Sequence, residues 1–239
     1  MDALSTAKQT AEALFGIPTG FMMDGATYAR GGEMGFEGID FYFRGRGGVL
    51  GDVPAEVVTA AMVFFQPATV AAAWERGQRV CSPAEGARAF AECAASWGEA
   101  HLPEGVDYER LAELEGRVVA SASVAGAPLF AGWRALAEPS SPKALVLHRM
   151  NVLRELRGAL HAGAVLAAGL SPLEALMVKT PFMVGLFGWE EPHPDPAPHK
   201  AAWEQAEEGT DRAMARHLGV LDDAESDELV ELLAASRPS

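Results

Sequence analysis

The chain has 239 residues, 49% of them apolar and 22% charged, with 33 acidic against 19 basic side chains, a formal net charge of −14 and a pI of about 4.8. That length suits one large domain or two small ones, and the apolar share is enough to fill a core. Nucleic-acid binders usually present a basic face, so this composition excludes general attraction to a phosphate backbone and leaves room only for a local basic patch.

Cys81 and Cys93 lie in helical patterns among Ala and Phe and read as buried free thiols, not a disulfide framework. Neither has an evident basic neighbour to activate it. The opening MDALSTAKQT lacks the apolar segment of a signal peptide. No stretch reaches 18 apolar residues free of charge. The expected location is the cytoplasm, without membrane contact.

Taken in order, 3–15 reads as a short amphipathic helix stopped by Ile17-Pro18-Thr19-Gly20, and 24–35 as a weak helix broken at Gly31-Gly32. The Gly- and aromatic-rich stretch 35–52 is ambiguous. Ile39, Phe41 and Phe43 alternate with Asp40 and Tyr42 as in a strand, and a helix ending at Gly45 fits equally. Asp52-Val53-Pro54-Ala55-Glu56 has the acidic cap and first-turn proline of a helix start, giving a helix to about Phe65. Further helices are expected from Gln66-Pro67 to about Arg79, from Ser82-Pro83-Ala84-Glu85 to about His101, over 107–122 and over 128–137. The Pro/Ser cluster at 138–142 is the best domain boundary, dividing an N-terminal half, 1–138, from a C-terminal half, 143–239.

The second half is built on 145–170, the longest helical pattern in the chain. At about 100° per residue, Leu145, Val152, Leu153, Leu156, Leu160 and Ala164 form one apolar sector. Arg154, Arg157 and His161 follow i, i+3, i+7 spacing at its edge, with Met150 between them. His148, Asn151 and Glu155 repeat that spacing on the next face. Gly158 and Gly163 are costly in a helix interior and suggest close approach by another helix or a ligand. Helices from Ser171-Pro172 to 180, from His199 to about Leu218 and over 226–235 follow, with a proline-rich loop at 190–198. A loose internal repeat pairs 53–74 with 171–189, an Arg-Gly dipeptide (Arg46-Gly47, Arg157-Gly158) preceding each. It would bring Arg46 and Arg157 to equivalent places in a cleft.

Three segments carry a family resemblance: 41–51 (FYFRGRGGVLG) with the following VPAEVVTAA and FFQP, Leu153–His161 (LRELRGALH), and Thr210–Ala215 (TDRAMA). Together they resemble the SalK-like helix-turn-helix family of actinobacteria. Two polar positions of that pattern are Leu156 and Ala159 here, and Asp24-Gly25-Ala26 stands before Thr27-Tyr28 where a histidine is common. The resemblance implies a mainly α fold of two related winged-helix-like halves with little or no β, and a place in natural-product metabolism. It implies no established chemistry, because a shared fold does not carry function.

The candidate site is Arg46, Arg154 and Arg157 as planar donors for an anion, His161 as acid/base group or axial ligand, and Tyr28, Glu155 and Met150 as further ligand contacts. The simplest alternative is that the arginines tie the halves together through Glu155 or another acid. No metal site is expected: the loop holding His193 and His199 lacks rigid ligand spacing. The cofactor is left open, a haem-type ligand being compatible with His161 and the arginines. The favoured function is binding, or conversion, of an apolar or aromatic small molecule with an anionic group in the cleft between the halves. The alternative is a helix-turn-helix transcriptional regulator. Against it, 53–65 carries no basic residue and 171–180 only Lys179, where base readout wants Arg, Lys, Asn or Gln. A homodimer is expected, nucleic acid is not, and whether the protein is an enzyme is open.

Overall fold

The computed structural model describes residues 1–238 and contains twelve α-helices; no strand occurs among the described residues. The helices are α1 (Ala3–Met23), α2 (Gly25–Met34), α3 (Asp40–Gly47), α4 (Ala55–Ala61), α5 (Pro67–Gln78), α6 (Pro83–His101), α7 (Tyr108–Ser121), α8 (Pro128–Arg134), α9 (Pro142–Ala167), α10 (Pro172–Lys179), α11 (Lys200–Leu218) and α12 (Asp223–Ala235). The fold is mainly α, and no β wing accompanies any helix pair among the described residues.

Local chemistry sets most boundaries. Ser82 and Glu85 form a reciprocal capping box at the start of α6, as do Ser171 and Glu174 for α10 and Asp222 and Glu225 for α12. Proline in the first turn opens α5, α6, α8, α9 and α10, where its missing N–H costs nothing. The long helix therefore begins at Pro142, three residues before its apolar pattern does.

Two expectations fail for tertiary reasons. α1 continues through Pro18 to Met23 despite the lost hydrogen bond, because Ile17, Phe21 and Met22 are all buried beyond the expected stop. Between the two readings of 39–43, the structure takes the helix: Phe41, Tyr42, Phe43 and Arg44 are all buried in α3. A helix enclosed on every side shows no 3.6-residue period. Its neighbours approach through glycines. A Cβ on Gly45 would lie 2.5 Å from Phe90 of α6, and one on Gly86 would lie 2.9 Å from the Arg44 carbonyl.

α9 is the axis of the molecule. It packs against α1, α6, α7, α8 and α11, and from Ala144 to Leu156 most of its side chains are buried. The main core draws on helices α1 to α9 and on α11 and α12. A second, small core (Val165, Leu170, Ala175, Ala206) joins the end of α9 to α10 and α11, with Phe64 and Trp203 packed on its edge. α4 and α5, joined by residues 62–66, are one short-linked helix pair, as are α9 and α10, joined by 168–171. The stretch after α10 that the repeat sets against α5 contains short 3₁₀ turns instead of a second helix, so the sequence repeat is not matched helix for helix.

Candidate functional site

The first polar cluster sits where α3 meets α9. Arg46 grips Glu155 with two parallel bonds, Nε to Oε1 at 2.7 Å and Nη2 to Oε2 at 2.8 Å, and its Nη1 donates to the Tyr42 hydroxyl at 2.8 Å. Arg154 adds a third donor to Glu155 Oε1 at 3.1 Å and lies over the Phe15 ring of α1. The Arg46 carbonyl accepts from the Trp133 indole. Burial pushes the Glu155 carboxyl up, and the two guanidinium groups overcome that and hold it below the usual carboxylate range. Bidentate geometry is what makes so buried an ion pair tolerable. Arg46 and Arg154 face the single carboxylate of Glu155, and the adjoining Arg157 faces two, Glu207 and Asp211, so the three arginines and three carboxylates balance along the seam.

The second cluster begins one turn further along α9, against α11. Arg157 Nη2 reaches Glu207 at 3.3 Å and Asp211 at 3.5 Å. His161 Nδ1 is 3.0 Å from the Thr210 hydroxyl and 3.3 Å from Glu207 Oε1. The His161 ring meets Phe64 at 5.6 Å and the edge of Trp203 at 5.0 Å. Burial, helped by Arg157 and Lys179 and opposed by Glu207, pushes the imidazole down to about 4. The ring is therefore neutral at physiological pH. Burial likewise raises the Asp211 carboxyl, with Arg157 pulling the other way.

The structure thus brings Arg46, Arg154 and Glu155 into one cluster and Arg157 and His161 into a neighbouring one on the same helix. Arg46 and Arg157 share no carboxylate. Tyr28 shares no hydrogen bond with either cluster: its hydroxyl donates to the Met22 carbonyl at 2.9 Å, and burial, helped by the nearby Tyr42, raises its pKa to about 12. Met150 is wholly enclosed in the core, where it packs without reaching a surface. Gly158 and Gly163 have no atom within 4 Å of an added Cβ, so no helix of this chain uses their small size. Each arginine of the candidate set already holds a carboxylate, so propionates of a haem-type ligand would have to compete for them. No group of three or more His, Cys, Asp or Glu with metal-binding geometry occurs among the described residues.

Sequence reasoning missed Glu207 and Trp203, which with Phe64 frame His161. Thr210 and Asp211 were visible only as part of the TDRAMA resemblance. Spacing along one helix cannot report a partner on another. Glu115 was missed too: it is fully buried in α7 with neither carboxyl oxygen bonded, and burial raises its pKa well above the ordinary value despite Arg149.

The outer surface of the α4–α5 pair is poor in base-reading groups. α4 exposes Glu56, Val57 and Ala60, and α5 exposes Pro67, Ala68, Ala72, Glu75, Arg76 and Gln78, with Arg79 exposed just after it. Of the last set, Arg76 is held by Asp40 through two bonds of 2.7 Å. The 187–189 segment closes on the start of α5: the Gln66 amide donates to the Phe187 carbonyl and the Trp189 indole to the Phe64 carbonyl, both at 2.9 Å. A depression of about 610 Å³ remains between α5 and Gly188, Trp189 and Glu190.

No single helix is both long and apolar enough to cross a membrane; α9 and α10 meet that condition only together, as a pair bent by 108°. No curated protein and no solved structure matches the chain. A family model described as a helix-turn-helix family matches residues 7–203. That span includes α3, the α4–α5 pair and all of α9 with Arg154, Glu155, Arg157 and His161, and the chain belongs to this helix-turn-helix family.

Proposed function

We propose that this chain is a small-molecule-binding protein of SalK-like type within the helix-turn-helix family, with its site on the polar seam between α9 and α11. The observation that carries this reading is His161. It is a neutral imidazole packed against Phe64 and the edge of Trp203, at the junction of the two cores, on the same helix as Arg154. Aromatic walls with a few fixed polar groups are the usual make-up of a ligand site. The ligand is an aromatic or largely apolar molecule, and an anionic group on it would meet Arg154, about 10 Å along the helix axis from His161. Metabolism of natural products, a cytoplasmic location, division into an N-terminal and a C-terminal half, and a homodimer belong to the same proposal.

Family membership favours a second reading, transcriptional regulation. Against base readout, α4 exposes no donor side chain, and on α5 Arg76 is already held by Asp40, which leaves Gln78 and the following Arg79 as the exposed donors.

The test is ligand capture by the purified protein, scored by native mass spectrometry and by quenching of Trp203, with His161→Ala and Arg154→Met alongside. His161→Ala loses binding. Arg154→Met loses binding only of ligands that bear an acid. Equal binding by all three proteins would place the site elsewhere.

A further inference from the structure

The two polar partners of His161 settle which of its nitrogens carries the proton. The Thr210 hydroxyl has one proton, and it goes to the Ala206 carbonyl one turn back on α11, at 2.7 Å. Toward His161 the same oxygen can only accept. Glu207 Oε1, the other oxygen near Nδ1, is a carboxylate and also only accepts. Both demand a donor, so Nδ1 bears the hydrogen. Nε2 is then the bare acceptor. It bonds no group among the described residues and is not among the enclosed polar atoms, so it opens outward.

We propose that Thr210 and Glu207 hold His161 as its Nδ1–H tautomer, and that the outward Nε2 accepts a hydrogen bond from an O–H or N–H donor on an aromatic ligand of phenol or indole type. This rests on the reading of the α9–α11 seam as the ligand site and narrows it. An anionic oxygen facing Nε2 would meet a lone pair and be repelled. The acid of a ligand therefore points along α9 toward Arg154, and its neutral donor points at His161. Phe64, tilted 32° to the imidazole, and Trp203, edge-on at 76°, supply apolar flanks on either side of the ring. Thr210 and Glu207 are positioning residues, because they act only through His161. The groups facing the ring from its neighbours are Glu207, Asp211, Arg157 and Lys179, and none of them reaches Nε2 in a hydrogen bond.

The test is nitrogen-15 NMR of histidine-labelled full-length protein at neutral pH, with phenol and indole as probes. The expected result is a protonated Nδ1 and an unprotonated Nε2 in the wild type, with the Nε2 resonance moving as either probe is added. Thr210→Ser keeps the tautomer. Thr210→Val populates the Nε2–H form and weakens phenol binding at least fivefold. An Nε2–H tautomer in the wild type would overturn the proposal whatever binds. Quenching of the fluorescence that Trp203→Phe removes, with no movement of Nε2, would overturn it too and leave the seam as the ligand site. No response of either Trp203 or Nε2 to the probes would overturn the site reading and the proposal together.

Discussion

Glu115 has no exposed surface and no hydrogen bond to either carboxyl oxygen. A buried carboxyl whose pKa is raised by desolvation favours the folded state while it is protonated in both states. That contribution is complete below the ordinary value of 4.5 and is lost as pH rises from there toward the raised value. Glu115→Leu is expected to stabilise the protein at pH 8 and to flatten the alkaline limb of its stability profile, read by denaturant melts across pH. His161 works in the opposite direction. Its pKa is depressed, so its contribution is complete above about 6.5 and falls away as pH drops toward about 4. The loss is on the order of 3 kcal/mol, and His161→Gln should remove that part of the acid limb. Arg46 and Glu155 form the pair whose breakage costs most. Arg46→Ala leaves the buried Glu155 carboxylate with Arg154 alone and should cost about 3 kcal/mol, whereas replacing Arg46, Arg154 and Glu155 together with Met should cost far less. Of these residues the sequence revealed Arg46, Glu155 and His161 by type and spacing. It hid Glu115, since a glutamate in ELEGR reads as solvated until the packing of α7 on α9 is known.

At the scale of elements, pattern and caps were legible where a helix has one wet face. The starts of α5, α6 and α10 were readable from Gln66-Pro67, Ser82-Pro83 and Ser171-Pro172, and the structure places them there. Legibility failed where a helix is wrapped in protein, as in α3, and where burial overrides a breaker, as at Pro18. Glycines divide along the same line. Gly45 is a contact point, and Gly45→Ala should destabilise by about 1–3 kcal/mol through overpacking against Phe90. Gly158 faces open space, and Gly158→Ala should stabilise α9 by about 1 kcal/mol. Thermal melts of the two variants, moving in opposite directions, check both.

At the scale of the molecule, the family supplies a helix-turn-helix frame and the chain's own side chains decide its use. Nonspecific DNA affinity depends on counterion release and therefore on clustered positive charge. With a net charge of −14 and few basic groups on α4 and α5, binding to random duplex DNA is expected to be undetectable at 150 mM salt in a fluorescence-anisotropy titration. The polar residues gather on α9, the helix in contact with most of the others. Their partners on α3 and α11 lie about 50 to 110 residues away along the chain, which is why the site was legible as a stripe and not as an assembled seam.

The most direct measurement is native mass spectrometry, with an absorption spectrum, on the wild type and His161→Ala purified side by side from the native host. The account predicts an extra small-molecule mass with aromatic absorption on the wild type and its absence from His161→Ala. The same bound mass on both proteins, or on neither, would contradict it.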